Sequence, residues 1–161
     1  MEIAQTALTF LGEQDVPWTS DWLWGCPLIV VTVTLHTLGL AYTSRRAILI
    51  GKKMEQNGSP RVGFASVISA MTLLATVLHG IEAAIWGIAY LALGALSKVP
   101  SAMLYSLSAM TTYGHHSLYL EQRWHLLGAI EALNGWLLFG LSTAFLFLLI
   151  QELSPSLRSH Q

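Results

Sequence analysis

Apolar residues in this chain fall in long runs separated by short polar breaks, and the run lengths set the architecture. Ile3, Ala7, Leu8 and Leu11 recur at helical spacing ahead of Glu13, Asp15 and Pro17, the pattern of a short amphipathic stretch lying on a membrane surface. Trp18, Trp22 and Trp24 then crowd the approach to a first apolar run, about Cys26 to Tyr42, as aromatic residues do at a membrane–water interface. That run is just long enough to cross, since a spanning helix needs roughly 17–25 apolar residues. The second run, Val62 to Leu96, would be roughly 52 Å long as a helix. It is too short for two crossings with a turn, so one tilted span is expected. Leu126 to Ile150 crosses fully. Between these two, Ala102 to Thr112 is helical in pattern but too short to cross, with Pro100-Ser101 suited to opening it. It runs into Tyr113-Gly114-His115-His116-Ser117. A short apolar helix plus a polar loop between two full spans is the pattern of a re-entrant segment. Non-helical backbone at membrane depth survives only where protein buries it or a wet cavity meets it. The predicted fold is an all-α membrane protein with three transmembrane helices and a re-entrant helix and loop entering from the outer face.

Charge fixes the expected orientation. Arg45, Arg46, Lys52, Lys53 and Arg61 are five of the eight basic residues and sit around one connection. The positive-inside rule places that connection in the cytoplasm, so the N-terminus is expected outside and the C-terminus inside a cell (inner) membrane. Composition agrees: 53% of residues are hydrophobic and 11% charged, against about 25% charged in soluble domains, and mean hydropathy is +0.55. The charges are also segregated. None lies between Pro27 and Ser44 or between Val99 and Leu120; Glu82 is alone between Val62 and Ser97, and Glu131 between Trp124 and Gln151. This distribution excludes a soluble enzyme and a disordered tail. A net charge of −1 leaves no basic field for nucleic acid. The single Cys26 cannot form an intrachain disulfide, and no Cys/His spacing suggests zinc. The first 21 residues carry four acids and no base, unlike a cleaved signal peptide. A non-enzyme without a resident cofactor is expected, with membrane lipid as its surroundings.

Two stretches resemble a known family. Leu104-Tyr105-Ser106-Leu107-Ser108-Ala109-Met110-Thr111-Thr112-Tyr113-Gly114 is similar to the pore helix and first filter residues of two-helix pore-domain potassium channels. Gly128 to Gly135, followed by Leu138 to Ala144, resembles the inner helix of small bacterial members. The likeness covers about residues 80 to 150. It implies a pore-domain-like module over 62–151 (outer helix, pore helix, filter-like loop, inner helix). Residues 1–61 precede it as an amphipathic segment, first span and basic loop, and 152–161 form a short cytoplasmic tail. It also implies a homotetramer, since one chain carries one quarter of a pore, and a monovalent cation, K+ or Na+, as the permeant ion. The filter departs from the family pattern Thr-Thr-x-Gly-Tyr-Gly-Asp. Thr111, Thr112, Tyr113 and Gly114 keep its first half, while His115, His116 and Ser117 replace the Tyr, second Gly and Asp. His116 at a glycine position would cost ~1–2 kcal/mol in each chain. A shortened carbonyl ladder and weak discrimination between potassium and sodium are therefore expected.

Several residues carry a sharp and a bland reading side by side. His115 and His116 could gate by proton or bind a transition metal, imidazole titrating near pH 6.5, or they could simply pack or be solvated at the mouth. Glu131, three before Asn134, must face protein or water in a membrane. The pair is read as support for the loop, with a pore-lining cation site as the other role for Glu131. Gly135 and Gly140 are packing contacts or an inner-helix hinge. His79 and Glu82, three apart on one helix face, read as a local pair or as polar glue to a neighbouring span, or else as a buried ion or proton relay. His36 lies mid-span, and together with His79 it could clamp a haem.

Overall fold

The computed structural model describes residues 18–114 and 117–154. The amphipathic stretch Ile3 to Leu11, His115, His116 and most of the tail lie outside the described residues. Helix α1 covers Trp18–Gln56, α2 Pro60–Ala92, α3 Val99–Met110 and α4 His125–Leu153, with a single 3-10 turn at Gln122–Trp124 ahead of α4. Helices α1, α2 and α4 are long and apolar enough to cross a membrane. No strand occurs among the described residues.

The largest departure from the sequence reading is the length of α1, 39 residues, or about 58 Å. Arg45, Arg46, Lys52 and Lys53 lie on its last turns, where a loop was expected. Lysine and arginine are good helix formers, so the helix continues past its apolar segment. The break is only Asn57-Gly58-Ser59. Gly58 turns with φ +77, and the Asn57 and Ser59 N–H groups donate to the Lys53 and Met54 carbonyls, closing the helix end as a left-handed C-terminal glycine does. Pro60 then opens α2.

On α1 the buried face is largely polar and small, and the exposed face apolar. Along α1, Asp21, Gly25, Thr32, His36, Leu40 and Gly51 are buried, while Leu23, Val30, Val31, Leu38 and Leu49 are exposed. A soluble bundle would invert that pattern. Between lipid-facing helices there is no gain from hiding leucine, so close approach and hydrogen bonds hold them together. At Gly25 an added Cβ would meet Ile130 at 2.8 Å, and at Gly63 it would meet Met54 at 2.8 Å.

Two contacts between α1 and α4 show that these helices run parallel. At one end Asp21 Oδ1 accepts from the Leu127 N–H at 2.9 Å. At the other, Lys52 and Glu152 pair at 3.0 Å, both half exposed, an ion pair worth about 1 kcal/mol or less. The Asp21 contact has more consequence, because it brings an acceptor from another helix to the unpaired N–H groups and positive dipole end of α4. Asp21→Ala is expected to lower stability by about 0.5–2 kcal/mol, the usual loss for an N-cap. Thermal unfolding of purified protein in detergent checks this, and an unchanged midpoint would mean the cap carries no net energy.

Candidate functional site

Two buried polar clusters occupy the bundle. The upper one seats α3. Helix α3 lies between α2 and α4, antiparallel to the first and parallel to the second: Ala102 packs on Gly87, Ser106 on Ala83, Tyr105 on Gly128 and Met110 on Gly135. The fit at Gly135 is tightest, where an added Cβ would stand 2.2 Å from the Met110 carbonyl oxygen. Glu131 is wholly buried. Tyr90 Oη donates to its Oε2 at 2.5 Å, and the Ser106 hydroxyl contacts its Oε1. One carboxyl group thus ties α2, α3 and α4 together.

Protons can be counted there. Ser106 has one hydroxyl proton but faces two oxygens, the Ala83 carbonyl at 2.7 Å and Glu131 Oε1. Both contacts are filled when Ser106 donates to Ala83 and Glu131 carries its own proton on Oε1.

The residues expected to form a filter-like loop follow α3. Thr111 ends the helix, its Oγ1 donating to the Leu107 carbonyl at 2.7 Å. The Thr112 and Tyr113 N–H groups donate to Ala109 and Ser108. Thr112 takes φ +56 and Gly114 φ +84. A left-handed β-branched residue carries about 1–2 kcal/mol of strain. Thr111, Thr112, Tyr113, Gly114 and Ser117 are all exposed in the single chain. The segment then returns: the Glu121 N–H donates to the Ala95 carbonyl at 3.3 Å, and His125 Nε2 contacts the Leu120 carbonyl at 2.9 Å, before α4 begins.

Support from the last helix is distributed differently from the sequence reading. Glu131 holds the middle of α3. Asn134 faces the other way, its Nδ2 donating to Thr32 of α1 at 2.9 Å. Gly135 serves close approach, whereas nothing lies within 4 Å of the space a Gly140 side chain would fill. Helix α4 runs unbroken through both.

The lower cluster lies near the middle of α1. His36 Nδ1 contacts Glu82 Oε1 at 2.8 Å and His79 Nδ1 contacts Glu82 Oε2 at 3.1 Å. The other ring nitrogens, Nε2 of His36 and of His79, converge on Ser142 Oγ at 2.9 and 3.1 Å. Three helices therefore close a four-membered polar ring. All four residues are buried, His79 least so, with Phe139 stacked on its imidazole at 4.3 Å. The expected His79–Glu82 pair and its role as glue to a neighbouring span are both present, and His36 is the partner. A haem clamp is not formed. The two imidazoles lie side by side, centroids 4.9 Å apart and tilted by 30°, with no opening for a macrocycle between them. Ser142, Tyr90 and Ser106 were missed by sequence reasoning, because a serine or tyrosine in an apolar helix carries no sign of what it faces. A signal did exist on α1: the 4-residue step from Thr32 to His36, continued by Leu40, marks a buried stripe.

The described residues thus have the architecture of a membrane protein: three helices fit to span, a short helix wedged between two of them, and two buried carboxyl clusters. No protein-family model, no curated protein and no solved structure matches the chain.

Proposed function

We propose that this chain is one subunit of a pore-loop channel that passes monovalent cations with weak discrimination between potassium and sodium. The placement of α3 carries the reading. Twelve residues are too few to cross a bilayer; the helix descends between α2 and α4 to the level of Gly135, and the chain returns to Ala95 before α4 starts. In this reading the hairpin is re-entrant and belongs to a homotetramer, because one loop cannot enclose a pathway. Three features support it. The strained Thr112 and the left-handed Gly114 sit where the chain reverses, and such outliers concentrate at functional sites. Thr111 to Gly114 are exposed in the isolated chain, free to face neighbouring copies or an axis. The C-terminal, negative end of α3 favours a cation beside it.

Reconstitution in planar bilayers tests the proposal. Reversal potentials between potassium and sodium should lie near zero. Current should fall between pH 8 and pH 5.5 as His115 and His116 gain charge, and His115→Asn with His116→Asn should remove that fall. Strong potassium selectivity would refute the shortened filter. Absence of current together with a monomer in native mass spectrometry would refute the channel. A second reading, a non-conducting scaffold or sensor that responds to pH or metal, is favoured by the ionisable ring buried between α1, α2 and α4.

A further inference from the structure

The ring of His36, Glu82, His79 and Ser142 has four contacts and, in its ordinary ionisation, too few protons to fill them. Each contact needs one hydrogen. The Ser142 hydroxyl supplies one, each neutral imidazole one, and a carboxylate none. The ring is one positive charge short. Left unfilled, the shortfall sets two lone pairs against each other in a buried site, which is costly. Either an added proton or a bound cation closes it.

The geometry favours a cation that imidazole and carboxylate bind together. One ligand atom from each of His36, His79 and Glu82 can be chosen so that all lie within 4.8 Å of one another. Both Nδ1 atoms already face the carboxylate, one against each oxygen. Put both histidines in the Nε2–H form and all four ring nitrogens and the carboxylate find a partner, with the Ser142 hydroxyl proton turned out of the ring. The two Nε2–H groups donate to Ser142 Oγ, whose oxygen has two lone pairs, and both Nδ1 lone pairs are left toward the carboxylate, one at each oxygen. Ser142 then holds and orients the two ligating rings from behind, the arrangement by which outer partners fix metal-binding histidines. Zn–N bonds of about 2.0–2.1 Å put tetrahedral ligands about 3.3 Å apart. The nitrogen–oxygen separations of 2.8 and 3.1 Å, one to each carboxylate oxygen, would open by about half an ångström or less to reach that spacing. Two imidazoles and a carboxylate suit zinc and its neighbours among the divalent transition metals.

We propose that His36, His79 and Glu82 form a binding site for a divalent transition-metal ion of the zinc type within the membrane-spanning bundle, with Ser142 as the residue that positions both imidazoles. The site is built from α1, α2 and α4 alone and stands independently of the pore reading. His79, 11% exposed at its side chain, is the member of the site nearest the surface.

Purified full-length protein, stripped with a chelator and dialysed against Zn2+, tests this by elemental analysis. One Zn2+ per chain is expected, with affinity at least 100-fold weaker in His36→Gln and in Glu82→Gln. Ser142→Ala should weaken binding about 10-fold, as loss of an outer partner does. The double variant His115→Asn, His116→Asn should bind as the unmodified protein does. No Zn2+ uptake by the unmodified protein would overturn the proposal, as would unchanged affinity in His36→Gln and Glu82→Gln or loss confined to the His115/His116 double variant. Should the buried variants fail to fold, zinc-edge X-ray absorption on the His115→Asn, His116→Asn protein decides. Two imidazole ligands support the site, and one or none overturns it.

Discussion

Glu131→Leu is expected to unfasten α3 from the bundle, while Glu131→Gln should be nearly silent. Leucine strands the Tyr90 hydroxyl in a site that water does not reach and leaves Ser106 only its bond to the Ala83 carbonyl. One stranded hydroxyl costs about 1–3 kcal/mol, and a loss of that size is expected. Glutamine behaves differently because the native group is read as a neutral acid. Its amide oxygen accepts from Tyr90, its NH2 donates to Ser106, and Ser106 still donates to the Ala83 carbonyl. The donor and acceptor pattern is conserved, and stability should stay within about 1 kcal/mol, the net worth of a single hydrogen bond. Thermal unfolding in detergent, followed by circular dichroism, separates the cases. Equal damage from both substitutions would show that the site holds an anion, since an amide would then point a donor at a donor. An undamaged leucine variant would remove Glu131 from the support of α3.

Gly135→Ala should be far more damaging than Gly140→Ala, although the two glycines lie five residues apart on one helix. At Gly135 the new methyl would meet the Met110 carbonyl oxygen at 2.2 Å and the Met110 Cα at 2.8 Å. Those are backbone atoms at the end of α3 and have no rotamer into which to retreat. Either α3 shifts outward or the helices part, at about 3 kcal/mol, the upper end of ordinary overpacking. At Gly140 the methyl meets nothing within 4 Å, and alanine is the better helix former by about 1 kcal/mol. That variant should match or exceed the native midpoint. Equal midpoints for the two variants would mean that α3 is not seated against α4 as described. The same pair bears on conduction: if α3 carries a pore loop, Gly135→Ala should abolish current and Gly140→Ala should preserve it.

Much of the fold was legible because a bilayer-spanning helix is written in one dimension. Run length and the absence of charge fixed three long helices and a shorter one between the second and third. Their observed bounds differ mainly where a helix outlasts its apolar stretch, as α1 does through Arg45, Arg46, Lys52 and Lys53. Proline and glycine marked the breaks at Gly58-Ser59-Pro60 and around Pro100. Isolated acids in apolar runs, Glu82 and Glu131, announced buried polar centres, since a carboxyl group in such a run must find a partner.

Which partner it finds is a matter of helix rotation and register, and those were settled only in three dimensions. Glu82 could be paired with His79 from a spacing of three, but His36 lies 46 residues from Glu82, and Ser142 lies 106 residues from His36 and 63 from His79, all on facing helices. No local spacing encodes such a meeting. Asn134 could equally have faced the loop; one turn of packing set it on Thr32. Gly135 and Gly140 are identical as letters, and only the position of the Met110 carbonyl separates a tight seat from open space. The sequence by itself determined how many helices form and which polar residues had to be hidden. The tertiary structure decided which hidden residues meet, because between lipid-facing helices the contact is chosen by small steric gaps and by the completion of hydrogen bonds, which neither hydropathy nor period records.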